Sequence, residues 1–149
     1  MADYPNELNN VRRFGADIVT AGQPSRAQLV AAGEAGVRTV VNLRPAREFD
    51  EFDEARAVAD AGMRYVNIPV AGPDDIDDRH ARDLDDALAA AGGTPALVHC
   101  ASSNRVGALM AYRARHLQGE NAERALEIGL NTGLDPQSPL YEATRSKLD

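Results

Sequence analysis

Residues 96–118 read ALVHCASSNRVGALMAYRARHLQ, and this stretch decides the fold class that we predict. Ala96–His99 is a short apolar run, as expected of a buried strand. After a polar loop, the pattern predicts a helix at about Arg105–Gln118. A strand that leads through a short loop into a helix is the repeating unit of α/β proteins.

The same alternation runs through the rest of the chain. Residues 38–43 are rich in β-branched side chains, and Ser25 with Gln28 has the pattern of a helix-capping box. Further strands are predicted at 17–21, 38–43 and 64–70, and further helices at 25–35, 51–61, 76–91, 120–131 and 136–148. We therefore expect one α/β domain, residues 1–149, with a mostly parallel central sheet of four to five strands flanked by helices.

Composition limits the function classes. The 149 residues carry a formal net charge of -7, which disfavours binding to nucleic acid and to anionic membranes. No run approaches the roughly 18 apolar residues of a membrane span, and the N-terminus shows no apolar leader segment. The single cysteine cannot form an internal disulfide. We expect a cytoplasmic protein whose anion site, if present, is a local basic pocket.

Residues 100–105 have the properties of such a pocket. Cys100 lies at the carboxyl end of a predicted parallel strand, where α/β proteins bind ligands. The loop that follows would direct backbone N–H groups inward, and the next helix adds its positive end; both favour an anion and the nucleophilic thiolate. Arg105 offers a planar pair of donors for two oxygens. The predicted anion-binding residues are Ala101, Ser102, Ser103, Asn104 and Arg105. The alternative is that Cys100 is a small buried apolar residue.

These residues resemble a known signature. His99-Cys100, a short loop, Arg105 and then Val106-Gly107-Ala108 resemble the cysteine phosphatase superfamily, which includes tyrosine and dual-specificity phosphatases. Upstream segments such as Val40–Pro45 are similar to small bacterial phosphatase-like domains that also occur fused to beta-lactamase-like hydrolases. The resemblance covers roughly residues 12–118. It implies a phosphatase-like fold and hydrolysis of phosphoric monoesters, carried by small molecules or phosphoproteins, through a phosphocysteine on Cys100.

Three departures keep other functions open. Four residues separate Cys100 from Arg105, where the usual phosphatase signature has five; this shorter spacing is similar to rhodanese sulfurtransferases. Ser103 stands where a glycine is common, and Val106 where the superfamily often has Ser or Thr. The alternatives are a sulfurtransferase that forms a persulfide on Cys100, and a weakly active module that binds anions or partners.

The resemblance also places a general-acid aspartate in a loop upstream of the cysteine. Asp75 is the preferred candidate and Asp74 the second, although both could merely cap a helix. His99 could orient the loop, or be a buried histidine satisfied by a carbonyl. Arg44 could reach the anion, or pair with Glu48. No metal-ligand spacing occurs, so we expect no metal and no cofactor. The sequence leaves the oligomeric state and the physiological substrate open.

Overall fold

The computed structural model of the protein describes residues 8–149, and the N-terminal segment predicted to lack an apolar leader falls mostly outside them. Within this part, one five-stranded sheet has the order β1-β2-β5-β3-β4. Only β1 runs antiparallel, against β2; the other neighbours are parallel, as the sequence predicts. The strands are β1 Arg12–Phe14, β2 Ile18–Ala21, β3 Thr39–Asn42, β4 Arg64–Asn67 and β5 Ala96–His99.

The predicted helices are all present, with ends that differ by a few residues. They are α1 Arg26–Glu34, α2 Glu54–Asp60, α3 Asp78–Ala90, α4 Asn104–His116, α5 Ala122–Asn131 and α6 Pro139–Ser146, together with 3-10 turns at Ala46–Glu48 and Pro73–Asp75. The capping box of Ser25 and Gln28 begins α1 as predicted. The helix predicted from residue 51 begins only at Glu54, because the Asp53 side chain caps it by accepting from the Arg56 amide.

The strands predicted at 17–21, 38–43 and 64–70 are all longer than the observed ones, and one strand is missed. The strand predicted over 64–70 ends at Asn67, although Ile68 and Val70 still donate backbone hydrogen bonds to Asn42 and Leu43 beyond the end of β3. β1 was not predicted, because its three residues are largely exposed and show no apolar pattern.

Helices cover both faces of the sheet. Along β5, Val98 belongs to an apolar core that includes residues of α3, α4 and α5, whereas Leu97 faces a second core shared with α1 and α2. His99 pairs in register with Ala21 of β2 and with Asn42 of β3. The carboxyl ends of the three central strands therefore lie level, and the loops that follow them meet at one edge of the sheet.

Close packing of α4 and α5 depends on one glycine. A Cβ atom built on Gly107 would lie 2.0 Å from the backbone nitrogen of Leu134, so only glycine fits at this position. The contact fixes the helix that starts at the cysteine loop against the turn after α5. Among the described residues, no helix is long and apolar enough to cross a membrane.

Candidate active site

The loop after β5 turns its carbonyl groups away from its centre. The Ala101 oxygen accepts from the Gln23 amide at 3.0 Å, and the Ser102 oxygen accepts from Asn10 Nδ2 at 2.9 Å. The first contact is close enough that a Cβ on Gly22 would lie 2.7 Å from the Ala101 oxygen. Both carbonyls are thus held by the segments that flank β1 and β2.

This arrangement directs the loop amides to the opposite side. In a planar trans peptide the carbonyl of one residue and the N–H of the next point in opposite directions. The amides of Ser102 and Ser103 therefore face the interior of the loop. Within residues 8–149, the amides of residues 101–105 donate no hydrogen bond. Together with the N-terminus of α4 they are unpaired donors at the loop where the sequence predicts an anion cradle.

Ser103 has a backbone conformation that favours glycine. Its φ is +78°, in the left-handed region, and its side chain is fully buried. The Ser103 hydroxyl donates to the Thr132 carbonyl oxygen at 3.0 Å, and Gly133 packs against the same residue so closely that a Cβ there would lie 2.1 Å from Ser103 Oγ. The turn after α5 therefore holds a strained serine in place.

Arg105 is oriented by Glu48, which lies 57 residues upstream. Arg105 Nη1 and Nη2 donate to the two carboxylate oxygens of Glu48 at 2.8 and 2.9 Å, and Nη1 also donates to the Val70 carbonyl oxygen at 2.8 Å. A guanidinium has five N–H donors, so these three bonds leave Nε–H and one Nη2–H. Those two donors share one edge and suit two oxygens of a bound oxyanion.

Arg105 and Glu48 each favour the charged form of the other. Burial acts to lower the pKa of the Arg105 guanidinium, but its hydrogen bond to Glu48 and its electrostatic interactions with Cys100 and Glu48 raise that pKa above the ordinary value. The hydrogen bond from Arg105 lowers the pKa of the Glu48 carboxyl, against the opposing effect of burial, with a smaller contribution from Arg44. Cys100 itself is fully buried. Its hydrogen bond with Arg105 also contributes to raising the pKa of the guanidinium.

Arg44 lies beside this pair without contacting the cradle amides. Its Nε donates to Glu48 Oε1 at 3.3 Å, and its Nη1 donates to Gln23 Oε1 at 3.1 Å. Gln23 in turn donates from Nε2 to Glu54 Oε1 at 2.7 Å. This geometry matches the alternative in which Arg44 pairs with Glu48, and Gln23 connects Arg44 to Glu54.

His99 continues the same network beneath the cysteine. Its ring is fully buried; Nε2 lies 2.6 Å from Glu54 Oε2, and Nδ1 lies 3.2 Å from the Cys100 carbonyl oxygen. His99 thereby links the cysteine backbone to a buried carboxylate of α2 and helps to fix the start of the loop.

Asp75 lies in the loop that contacts Arg105. Val70, which accepts from Arg105, precedes Ala71, and the Ala71 amide donates to Asp75 Oδ2 at 2.8 Å. Asp74 is exposed on the same 3-10 turn. Asp77 accepts from the His80 amide at 3.0 Å and caps α3, as expected from its position.

The sequence interpretation missed two carboxylates of this site. Glu48 was considered only as a partner of Arg44, and Glu54 was not singled out. Each meets its partner across loops, Glu48 with Arg105 at a separation of 57 residues and Glu54 with His99 at 45. No local spacing links such pairs. Across residues 8–149, no group of three or more His, Cys, Asp and Glu side chains is arranged to hold a metal ion.

One known protein family matches most of this chain. The sequence model of one family, the phosphatase-like domain of beta-lactamase hydrolase-like proteins, matches residues 10–114. Among proteins of curated function, none gives a significant sequence match.

Several solved structures have a similar fold. A Shewanella putrefaciens CN-32 protein described as a DUF442 phosphatase is 26% identical with a TM-score of 0.73, over 95% of this chain and 90% of that one. TpbA from P. aeruginosa is 23% identical with a TM-score of 0.73, over 99% of this chain and 89% of its own. A Neisseria meningitidis z2491 protein described as a phosphatase is 19% identical with a TM-score of 0.68, over 93% and 95% of the two chains. The last two similarities concern the fold alone.

Proposed function

This chain belongs to the family of the phosphatase-like domain of beta-lactamase hydrolase-like proteins, and on that premise we propose that it hydrolyses phosphoric monoesters with Cys100 as the nucleophile. The observation that carries the proposal is the Arg105 guanidinium. Glu48 and Val70 use three of its donors, and the remaining edge is available to an oxyanion at the loop of unpaired amides. Such a cradle stabilises charge on the equatorial oxygens of a phosphoryl group during transfer.

In the first step, the Cys100 thiolate attacks phosphorus. An S–P bond forms as the bond between phosphorus and the leaving oxygen breaks, and the electron pair of that bond goes to the leaving oxygen. Asp75 donates a proton to this oxygen, so the product leaves as a neutral alcohol or phenol. Arg105 and the amides of residues 101–105 bind the non-bridging oxygens throughout.

In the second step, water attacks the phosphocysteine. The Asp75 carboxylate accepts a proton from the water, the new P–O bond forms, and the S–P bond breaks to restore the Cys100 thiolate and release phosphate. Each proton given in the first step is thereby recovered in the second. No cofactor enters this balance.

The substrate is a phosphorylated small molecule or phosphoprotein. TpbA, one of the proteins with a similar fold, has been solved as a cysteine-to-serine form in complex with pTyr. In this chain the cradle recognises the phosphoryl group, whichever scaffold carries it.

The test is hydrolysis of p-nitrophenyl phosphate by the wild type and by Cys100→Ser. We expect turnover by the wild type only, and a phosphoenzyme that rapid acid quenching captures from the wild type with [32P]-labelled substrate. Arg105→Lys is the second variant, because an ammonium keeps the charge but loses the two-donor edge. Equal turnover by the wild type and Cys100→Ser would contradict the proposal.

Sulfur transfer is the second candidate function, because the four-residue spacing between Cys100 and Arg105 is similar to that of rhodanese sulfurtransferases as well as to that of small bacterial phosphatase-like domains. Cys100 would take a sulfane sulfur from a donor such as thiosulfate, releasing sulfite, and pass it from the persulfide to an acceptor such as cyanide. This reaction requires no general acid. Thiosulfate-to-cyanide transfer by the same preparations, unaffected by Asp75→Asn and abolished in Cys100→Ser, would favour sulfur transfer over phosphate hydrolysis.

A further inference from the structure

Lys147 lies across the turn that carries Asp75. It is the only lysine in the chain, beside 15 arginines. Its Nζ donates to the carbonyl oxygen of Pro73 at 2.5 Å and to that of Ile76 at 2.9 Å. These two carbonyls bracket Asp74 and Asp75, so a single ammonium group closes the turn from outside.

A lysine suits this contact better than an arginine. The ammonium is a compact charge with three donors that can point to separate acceptors, whereas a guanidinium holds its donors in one plane. Bonds from a charged donor to carbonyl oxygens are stronger than bonds between neutral groups. The 3-10 turn has its own weak bonds, such as the Ile76 amide to the Pro73 oxygen at 3.1 Å, and gains most from such a clamp.

Lys147 is itself fixed to the helix that begins at the cradle. His116 Nε2 lies 2.7 Å from the Lys147 carbonyl oxygen, and Arg115 Nε donates to the Leu148 carbonyl oxygen at 2.7 Å. Both side chains belong to the last turn of α4, whose first turn carries Arg105. The turn with Asp75 and the oxyanion donor are therefore tied to one rigid element.

The Asp75 carboxyl group is held within the turn as well. Oδ2 accepts from the Ala71 amide at 2.8 Å, and Oδ1 lies 3.9 Å from His80 Nε2, a ring that is mostly buried and bonded to Asp77. Oδ1 is thus the oxygen that the Ala71 bond does not use. The position of the Asp75 carboxyl group depends on the backbone of residues 73–76. Lys147 holds that backbone through its two hydrogen bonds.

We propose that Lys147 is a positioning residue for the general acid: its ammonium holds the Pro73–Ile76 backbone so that the Asp75 carboxyl group reaches the leaving oxygen. This inference rests on the proposed function, in which Asp75 protonates that oxygen. The proposal gives a part in catalysis to the residue that ends the C-terminal helix α6. The sequence indicated no function for this helix.

Lys147→Met tests the proposal, because methionine keeps much of the apolar stem and removes both hydrogen bonds. An alkyl phosphate needs protonation of its leaving oxygen far more than p-nitrophenyl phosphate does. The second step is the same for both substrates, so kcat/KM, which reports only the first step, is the quantity to compare. We expect kcat/KM for the alkyl phosphate to fall about 10- to 100-fold, as for a misplaced catalytic group, and kcat/KM for p-nitrophenyl phosphate to change by less than about 3-fold. Arg145→Met is the matched control, since Arg145 lies on the same helix and pairs with Glu142.

Three further measurements separate a positioning role from a general loss of structure. Amide hydrogen exchange of residues 71–76 should quicken in Lys147→Met and stay unchanged in Arg145→Met. The double variant Lys147→Met with Asp75→Asn should be no slower on the alkyl phosphate than Asp75→Asn alone, because the lysine acts through the aspartate. Lys147→Arg, which keeps the charge, should recover part of the lost rate.

The outcomes distinguish the two proposals. If Asp75→Asn shows the selective loss on the alkyl phosphate and Lys147→Met does not, the role of Lys147 is refuted and that of Asp75 stands. An equal loss on both substrates in Lys147→Met also refutes positioning. If Asp75→Asn shows no selective loss, Asp75 is not the acid, and the inference fails with it.

Discussion

Arg105 and Glu48 form a two-point ion pair, with Nη1–Oε2 and Nη2–Oε1 distances of 2.8 and 2.9 Å. The pair fixes which edge of the guanidinium is left for an anion. Arg44 donates to the same carboxylate at 3.3 Å, so Glu48 faces two arginines. The site that we propose to bind anions thus contains a carboxylate that orients its cation.

Glu48→Gln should weaken catalysis while leaving the cradle amides in place. The amide would set its own N–H donors against those of Arg105, so the guanidinium loses its fixed orientation. We expect kcat/KM for p-nitrophenyl phosphate to fall about 10- to 100-fold. Steady-state kinetics measures the loss, with Glu51→Gln, an exposed carboxylate three residues on, as the control. Equal activity of the two variants would show that Val70 alone orients Arg105.

The same carboxylate predicts a pH dependence of stability. The hydrogen bond from Arg105 lowers the pKa of Glu48, with burial opposing it. A carboxyl group with a lowered folded pKa stabilises the fold above its ordinary pKa, about 4.3 for glutamate, and this contribution is lost as the pH falls through the folded value. The free energy of unfolding of the wild type should exceed that of Glu48→Gln at pH 7, and the difference should close below about pH 4. Urea unfolding across this range checks it; a difference that does not vary with pH would exclude an electrostatic origin.

Asp75→Asn should slow reactions in proportion to how poorly the substrate's oxygen leaves. We expect kcat/KM for an alkyl phosphate to fall about 10²- to 10⁴-fold, which is typical of general acid catalysis. The fall in kcat/KM for p-nitrophenyl phosphate should be only modest. Asp74→Asn, on the exposed side of the same turn, should leave both rates near those of the wild type. If both variants lose the same small factor on both substrates, neither aspartate is the acid.

Gly107→Ala should destabilise the fold where α4 meets the turn after α5. The new Cβ would lie 2.0 Å from the Leu134 nitrogen, a backbone atom that can move only with its turn. We expect a loss of about 3 kcal/mol or more in the free energy of unfolding, at the high end for overpacking in a core. Gly72→Ala is the matched control, because a Cβ there meets nothing within 4 Å. Denaturant unfolding of the two variants measures the contrast.

An anion in the cradle should stabilise the folded protein. At about 100 times its Kd, a ligand that binds only the native state adds about 2.7 kcal/mol to the free energy of unfolding. We expect phosphate to raise Tm of the wild type and of Cys100→Ser. The shift should shrink in Arg105→Lys, which lacks the planar donor edge. Differential scanning calorimetry with a chloride control separates binding from an ionic-strength effect, and an equal shift in all three proteins would place the anion elsewhere.

The alternation of strands and helices was predictable because it depends on short-range properties. Apolar runs, β-branched residues and caps such as Ser25 act over a few residues of the chain, and they indicated the parallel sheet and all the helices. The edge strand β1 was not predicted, because its largely exposed residues show no such pattern. The position of Cys100 and the loop amides was equally local, since a strand, a tight loop and a helix start follow one another directly.

The contacts of Ser103 could not be predicted from the residues around it in the sequence. The sequence places this serine where the resembled superfamily commonly has glycine, and its observed φ is +78°. What the sequence could not indicate is the means of support, a hydrogen bond to Thr132, which is 29 residues away.

The sequence by itself determined the α/β class, the mostly parallel sheet and the strand-loop-helix unit that forms the anion cradle. Tertiary structure alone decided how the cradle is completed, with Glu48 on Arg105, Glu54 on His99 and Lys147 on the turn of Asp75. These contacts depend on the strand order β2-β5-β3-β4, which brings together loops from distant parts of the chain. Periodicity and caps are set by neighbouring residues, whereas the partner of a charged side chain is set by which loops the sheet places at the same edge.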